Sequence, residues 1–204
     1  MPHDPSDLAT ALGSRICHDL ASPLGALMAG LDLLEMSGRP SPELALMRES
    51  VEGARATLDL LRLAFGPAGA GEAIGAEALR ALCAAPLAAR PRLTLDWTLA
   101  EALPRPEARR LALALLCALH ALPRGGTLRV AREGAALCLA ARGEIAADPA
   151  LWQGLGGTAP LPEPDPRRIE FALLAQALAR DGARLTISHA GDTLRLALLP
   201  AGKD

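Results

Sequence analysis

Tyrosine is absent from the 204 residues, and aromatic side chains make up only 2% of them. A core in this chain therefore has to be built from Leu, Ala, Val and Ile. The 50% hydrophobic content supplies that material and excludes an intrinsically disordered chain. An excess of charge is lacking too: 21 basic against 23 acidic side chains leave a net charge of -2. That balance carries no basic footprint for nucleic acid or anionic lipid. Long apolar runs are missing as well. The longest, residues 111–119, is bounded by Arg109, Arg110 and His120, well short of the roughly 20 residues of a membrane span. No nucleic-acid and no membrane partner is expected. Residues 1–7 contain no apolar leader segment, so a cytoplasmic location is expected. The four cysteines, Cys17, Cys83, Cys117 and Cys138, are scattered among apolar neighbours without a CxxC pair, which predicts reduced, partly buried thiols.

What is present is helical rhythm. Ser6 and Asp7 can cap a helix whose apolar positions recur as Leu8, Leu12, Ile16, Leu20, Leu24, Leu27, Leu31 and Leu34, at steps of three and four. Gly38, suited to a left-handed cap, should end it, with Pro40 just beyond. Ser41 as cap and Pro42 at the first helical position start a second helix. Its apolar positions are Leu44, Met47, Val51, Ala54, Leu58, Leu61 and Phe65. The short loop makes the pair an antiparallel hairpin. A lone hairpin cannot cover two such stripes, so the expectation is a homodimer whose hairpins form a four-helix bundle, the alternative being packing against the rest of the chain. The glycine-rich stretch 66–71 is the natural hinge. It divides the chain into a hairpin domain, 1–72, and an α/β domain, 73–204.

At about 100° per residue, His18 falls nearly opposite the leucine stripe and faces water. Ala11, Ser14, Arg15, Ser22 and Gly25 lie one turn away on that face, with Ala29 further along. The surface is smooth enough for a partner to dock. An exposed helical histidine taken alone is most often a solvated residue. Here, however, Pro23 follows five residues on, inside the helical pattern, where it forfeits a backbone hydrogen bond at a cost of roughly 3 kcal/mol or a kink.

The string His18-Asp19-Leu20-Ala21-Ser22-Pro23-Leu24 resembles the phosphoacceptor box of two-component histidine kinases, in which a histidine, an acidic, an apolar and a polar residue precede proline. Arg15-Ile16-Cys17-His18-Asp19-Leu20 and Gly30-Leu31-Asp32-Leu33-Leu34-Glu35 are similar to one branch in particular, the ChpT-type histidine phosphotransferases. That resemblance implies a dimeric phosphorelay shuttle with kinase-like architecture, and hence an α+β fold: a hairpin forming the dimeric bundle, then an α/β sandwich resembling a degenerate kinase ATPase domain.

The second half bears on that reading. Residues 109–130 read as a helix, a Pro-Arg-Gly-Gly turn at 123–126 and a strand, which resembles the kinase helix and its Pro-x-Gly-Gly turn. On that pattern the magnesium-binding asparagine falls at Cys117 and its partner at Leu113, neither with the oxygen ligand a hard cation needs. The adenine-reading aspartate falls at Ala141 after the strand 136–141. Of the following glycines only Gly143 survives, Ile145 standing in place of the second. Residues 154–157 lead into Pro160, Pro162, Pro164 and Pro166 rather than into a helix, and read as loop rather than as a phosphate-binding site. A helix over 167–180 and strands over 184–189 and 193–199 complete the kinase-like ending.

The resemblance implies that His18 is nucleophile and carrier in its neutral form, accepting a phosphoryl group from an aspartyl phosphate and passing it to another aspartate. It implies as donor the receiver domain of a hybrid histidine kinase, CckA-like, and as acceptors response regulators, CtrA-like and CpdR-like. No cofactor is expected on this chain, and Mg2+ would come with the receiver. Asp19 would polarise or orient the imidazole, although helical neighbours do not face each other. Ser22 occupies the place of a residue that positions a phosphatase water, and Arg15 would steady the phosphoryl group. For both, a solvated helix surface is the competing account. Ser14 and Gly25 would belong to the docking surface. Arg167 and Arg168 would contact an acidic receiver unless they are an ordinary first-turn pair. His3, His120 and His189 have no metal-ligand spacing, and Trp97 and Trp152 read as core or rim residues. The alternatives are an active kinase, a receiver phosphatase dependent on Ser22, and a non-catalytic dimeric adaptor with His18 incidental.

Overall fold

The computed structural model describes residues 5–38, 41–66, 73–88 and 90–201. The 66–71 hinge, Gly66 apart, and His3 lie outside the described residues. The chain forms two compact units, residues 1–67 with 81–89, and 68–80 with 90–204.

The first unit is built on α1 (Pro5–Met36) and α2 (Pro42–Phe65). α1 runs unbroken through Pro23, and Gly38 takes the left-handed conformation at φ 80° just after the helix ends. Ser41 caps α2 as its pattern demands, its side chain accepting from the Leu44 N–H at 3.2 Å, with Pro42 at the first position. Arg48 binds Asp32 at 2.7 Å and Glu35 at 2.6 Å, which fixes the antiparallel register near the hairpin loop. At the opposite end, a Cβ on Gly13 would stand 3.2 Å from the Phe65 Cβ, so the helices approach closely there. The second half of α3 (Ala76–Ala88) clusters with this hairpin.

The leucine stripe of α1 is not the surface that packs. Leu31 is buried and Leu24 half-buried, but Leu12, Ile16, Leu20 and Leu27 are 49% to 61% exposed. Inward instead point Gly13, Cys17, Ala21, Leu24, Met28 and Leu31, which keep steps of three and four among themselves. α1 therefore carries two adjacent stripes, and only the one through Cys17 meets α2. Periodicity alone merges two seams that lie about one residue apart around the helix. On α2, likewise, Leu58, Leu60, Leu63 and Ala64 are buried while Met47 and Ala54 are exposed.

The second unit is a five-stranded sheet with helices on one face. Its strands are β1 (Leu93–Trp97), β2 (Gly126–Glu133), β3 (Ala136–Arg142), β4 (Arg184–Ala190) and β5 (Thr193–Leu199), in the order β1-β2-β3-β5-β4. β1 pairs with β2 in parallel through the crossover helix α4 (Arg105–His120), and the other pairs are antiparallel. Inward residues stand in line across the strands, Val130 opposite Leu139 and Leu139 opposite Leu196, all fully buried. The opposite face alternates with Arg129 and Arg195, both exposed. Strand period two thus places leucines against the helices and arginines in water. α4 and α6 (Ile169–Arg180) pack together on the sheet, and α5 (Pro149–Leu155) joins α6 through an edge-to-face contact of Trp152 and Phe171 at 5.0 Å.

α3, β1 and α5 are not foreseen from periodicity. Asp148-Pro149 is the signal that marks α5, since Asp148 accepts from the Ala150 N–H at 3.1 Å and Pro149 opens the helix. The last helix, expected from 167, starts at Ile169 after a single 3-10 turn, Pro166–Arg168.

All four cysteines are free and buried. Burial pushes the Cys83 thiol up to about 12, and the Cys117 thiol is also held well above the ordinary value, by burial first and then by Glu170. An unfolded thiol ionises near 9.0, where these two stay protonated. The unfolded chain therefore releases protons first, and stability declines as pH rises from 9.0 toward about 12. Tyrosine is absent and Lys203 is the single lysine, so apart from the cysteines almost nothing titrates in that window. Urea unfolding at about pH 10 should show a loss of about 1 kcal/mol per thiol relative to about pH 8. An unchanged midpoint would contradict it.

Candidate functional site

The exposed face of α1 holds the residues singled out from the sequence. His18 is 79% exposed, and its turn lies five residues before Pro23. Pro23 has no N–H to give the carbonyl four residues back, which belongs to Asp19. The helix thus loses one backbone bond on the turn that carries both side chains.

Asp19 bridges its neighbours. Its Oδ2 accepts from the Arg15 Nε at 2.8 Å, and its Oδ1 lies 3.3 Å from the His18 Nδ1. The expectation that adjacent helical residues do not meet is corrected here, because the Asp19 carboxylate reaches both partners. A carboxylate oxygen accepts, so a hydrogen bond across this contact requires the imidazole tautomer protonated at Nδ1, with the lone pair on Nε2. The arrangement presents a nucleophilic nitrogen to water, with a carboxylate and a guanidinium behind it.

Around His18 the surface is low. Ala11, Ser14, Ser22, Gly25 and Ala29 are exposed, and a Cβ added at Gly25 would meet nothing within 4 Å. Neither Ser22 nor Ser14 makes a side-chain hydrogen bond among the described residues. On the inward side of the same turn, Cys17 is buried, and its thiol is held up by burial and by Asp59 against the pull of Arg62. Asp59 and Arg62 of α2, 3.6 Å apart, therefore stand at the level of His18. Sequence reasoning missed them. The antiparallel register, which pairs Gly13 with Phe65, was the signal that places them there.

In the α/β unit, Leu113 and Cys117 are fully buried among the α4 core residues. These residues do not fit a nucleotide-bound magnesium ion, since neither offers an oxygen and neither reaches solvent. Gly143 has a structural reason of its own: at φ 155°, a Cβ there would sit 2.9 Å from the Gly125 carbonyl oxygen. Gly154 lies inside α5, and Gly156 caps it. Arg168 is bound by Asp148 at 2.8 Å and Asp165 at 3.4 Å, so its guanidinium braces the proline-rich loop, while Arg167 is exposed. His120 pairs with buried Glu170, and His189 is exposed on β4. Trp152 is buried, and half-buried Trp97 donates from its indole nitrogen to the Leu99 carbonyl at 2.9 Å. Among the described residues no three His, Cys, Asp or Glu side chains cluster to hold a metal ion, and no helix is long and apolar enough to cross a membrane.

Comparisons with known proteins converge on one family. Residues 76–193, more than half of the chain, match the model of the histidine phosphotransferase C-terminal domain. The chain is 38% identical over 138 residues to protein phosphotransferase ChpT of Brucella abortus (strain 2308), a match spanning 63% of this chain and 62% of that protein. The match thus spans less than two thirds of the curated relative's length. The fold is similar to a bacterial phosphotransferase solved at 1.7 Å, with a TM-score of 0.66 at 22% identity over 97% of this chain and 98% of the other. It is also similar to the histidine kinase domain of a blue-light activated kinase from Erythrobacter litoralis, with a TM-score of 0.51 at 13% identity over 88% and 95%. The kinase-like sheet and helices, the His18 box on a helical hairpin and the matched C-terminal domain together place the chain in the ChpT-type histidine phosphotransferase family.

Proposed function

We propose that the chain is a histidine phosphotransferase of a phosphorelay, with His18 as the residue that carries the phosphoryl group. The observation that carries this reading is the bridge of Asp19 to His18 Nδ1, which leaves Nε2 free on an exposed and unobstructed helix face. In the step proposed, the Nε2 lone pair attacks the phosphorus of a receiver's aspartyl phosphate. The acyl-phosphate P–O bond breaks, and the donor aspartate leaves as a carboxylate. The ring, now bonded at Nε2 and still protonated at Nδ1, carries a positive charge that Asp19 faces. The reverse displacement by a second receiver's aspartate regenerates neutral His18. No proton has to leave the site in either half. The divalent ion belongs to the receiver, and the buried Leu113 and Cys117 support a chain that does not use ATP itself. The donor would be the receiver domain of a hybrid kinase, and the acceptors would be response regulators.

The chain would act as a homodimer. Leu20, Pro23, Leu24 and Leu27 of α1 line, with Leu46, Leu58 and Leu61 of α2, an apolar groove of about 780 Å3 on the hairpin unit. The groove opens on the exposed stripe, and a second hairpin would cover both in a four-helix bundle. Around α1 that stripe lies roughly opposite His18, so dimerisation leaves the histidine face open.

The test is to incubate the full chain separately with labelled ATP and magnesium and with a phosphorylated receiver domain. Acid-labile label from the receiver alone supports the shuttle. Label from ATP restores the kinase, and no label from a range of receivers favours the adaptor. Asp19 acts through His18, as a positioning residue. Asp19→Asn should slow transfer by roughly ten- to a hundredfold, less than where such a carboxylate is buried. It should also shift the His18 ring 15N resonances toward the other tautomer. A slower rate with unchanged resonances would assign Asp19 a different role.

A further inference from the structure

The α/β unit contains a second feature, a cavity of about 490 Å3 lined by Arg90, Arg92, Arg124, Leu93, Leu119 and Leu122, among others. Two loops build it. One, Arg90-Pro91-Arg92, leads into β1, and the other, the 123–126 turn, leads into β2. The parallel register sets Leu93 opposite Gly126, so both loops enter the sheet at the same end. The Gly126 N–H donates to the Arg92 carbonyl at 2.8 Å, and the Leu93 N–H donates to the Arg90 carbonyl at 2.9 Å. The approach is so close that a Cβ on Gly125, at φ 104°, would lie 2.5 Å from the Arg92 Cβ. Glycine is therefore required where the two arginine-bearing loops touch.

The charge there is not used internally. Arg90 and Arg92 are exposed and make no ion pair or hydrogen bond with their side chains among the described residues. Arg124 meets only Glu144, at 2.5 Å, and both side chains are largely in water. Three arginines thus line the cavity together with His120, whose ring pairs with Glu170, and the carboxylate of Glu144 reaches only Arg124. The arginines do not serve as caps for α4, because the carbonyls of Ala118, Leu119 and Leu122 already accept from backbone N–H groups of the following turn. The partial negative charge at this helix end, roughly half a unit, is outweighed by three full positive charges. The apolar part of the lining is Leu93, Leu119 and Leu122, all buried.

We propose that this cavity binds a small molecule bearing a phosphate group, with the phosphate held by Arg90, Arg92 and Arg124 and the body of the ligand against Leu93, Leu119 and Leu122. Guanidinium forks match phosphate oxygens two at a time. A volume of about 490 Å3 suits a nucleotide-sized molecule. The site involves neither His18 nor the former nucleotide positions at Leu113 and Cys117, and it stands whether or not the chain carries phosphoryl groups.

The experiment is isothermal titration of the full chain in magnesium-free buffer with inorganic pyrophosphate, AMP and ADP in turn. Saturable binding is expected, with the adenine nucleotides tighter than pyrophosphate because they also reach the apolar lining. Arg92→Gln and Arg124→Gln should each weaken binding by roughly tenfold, the loss of one charge-assisted contact. The variant Arg90→Gln with both should abolish it without changing the thermal melt, since all three side chains are exposed. Absence of saturable binding by every probe overturns the proposal. So does binding that survives in the triple variant, which would place the ligand elsewhere on the fold.

Discussion

His18→Ala is expected to lose all phosphoryl uptake from a phosphorylated receiver while folding as well as wild type. The second half of that expectation follows from exposure. A side chain 79% in solvent contributes little packing, and its removal should move stability by no more than about 0.5 kcal/mol. The first half follows from the lack of a substitute. Ser22 is one turn away, but a serine hydroxyl is a weak nucleophile without a base beside it, and no base contacts it among the described residues. Loss should therefore be complete rather than graded. Residual acid-labile label on the variant would move the carrier to another histidine. A variant that loses no partner-dependent activity would make the chain an adaptor.

The second large effect concerns association. Leu20→Glu combined with Leu27→Glu should convert a species of twice 21.1 kDa into one of 21.1 kDa, read by light scattering. Both leucines are about half exposed and line the apolar groove of the hairpin, so the charges cost little in a single chain. In a bundle they would be buried next to their symmetry mates, where unpaired carboxylates cost several kcal/mol each. If the wild type is already monomeric, or the variant stays dimeric, the exposed stripe serves another purpose. Cys17→Ser provides the contrast, because Cys17 lies on the seam between α1 and α2. It should lower the melting temperature without changing the mass.

Much of the site was readable from nearest neighbours. The phosphoacceptor-like box from His18 to Leu24 and the caps at Gly38, Ser41 and Pro42 are local features, and the structure keeps each where its chemistry places it. What could not be read was depth. Leu12, Ile16, Leu20 and Leu27 have the same hydrophobicity and spacing as Leu24 and Leu31, yet one set is exposed and the other covered. Which stripe meets α2 depends on the register fixed by Arg48 with Asp32 and Glu35 and by Gly13 against Phe65, contacts between residues far apart in the chain. The Asp19 contact, which the resemblance implied, does not follow from helical spacing for a related reason. Ideal helix geometry points neighbouring Cβ atoms apart, and only the rotamers, with Arg15 on the far oxygen, bring the carboxylate to His18.

The helical hairpin and the solvent face of His18 follow from periodicity and capping within a few residues, whereas the strands are expected from the kinase-like resemblance. The tertiary structure alone decided which leucines are buried, that Asp59 and Arg62 stand level with His18, and that Arg90, Arg92 and Arg124 line one cavity. Each of these needs two segments to meet, and their meeting is set by strand register and close backbone approach, which no local pattern encodes.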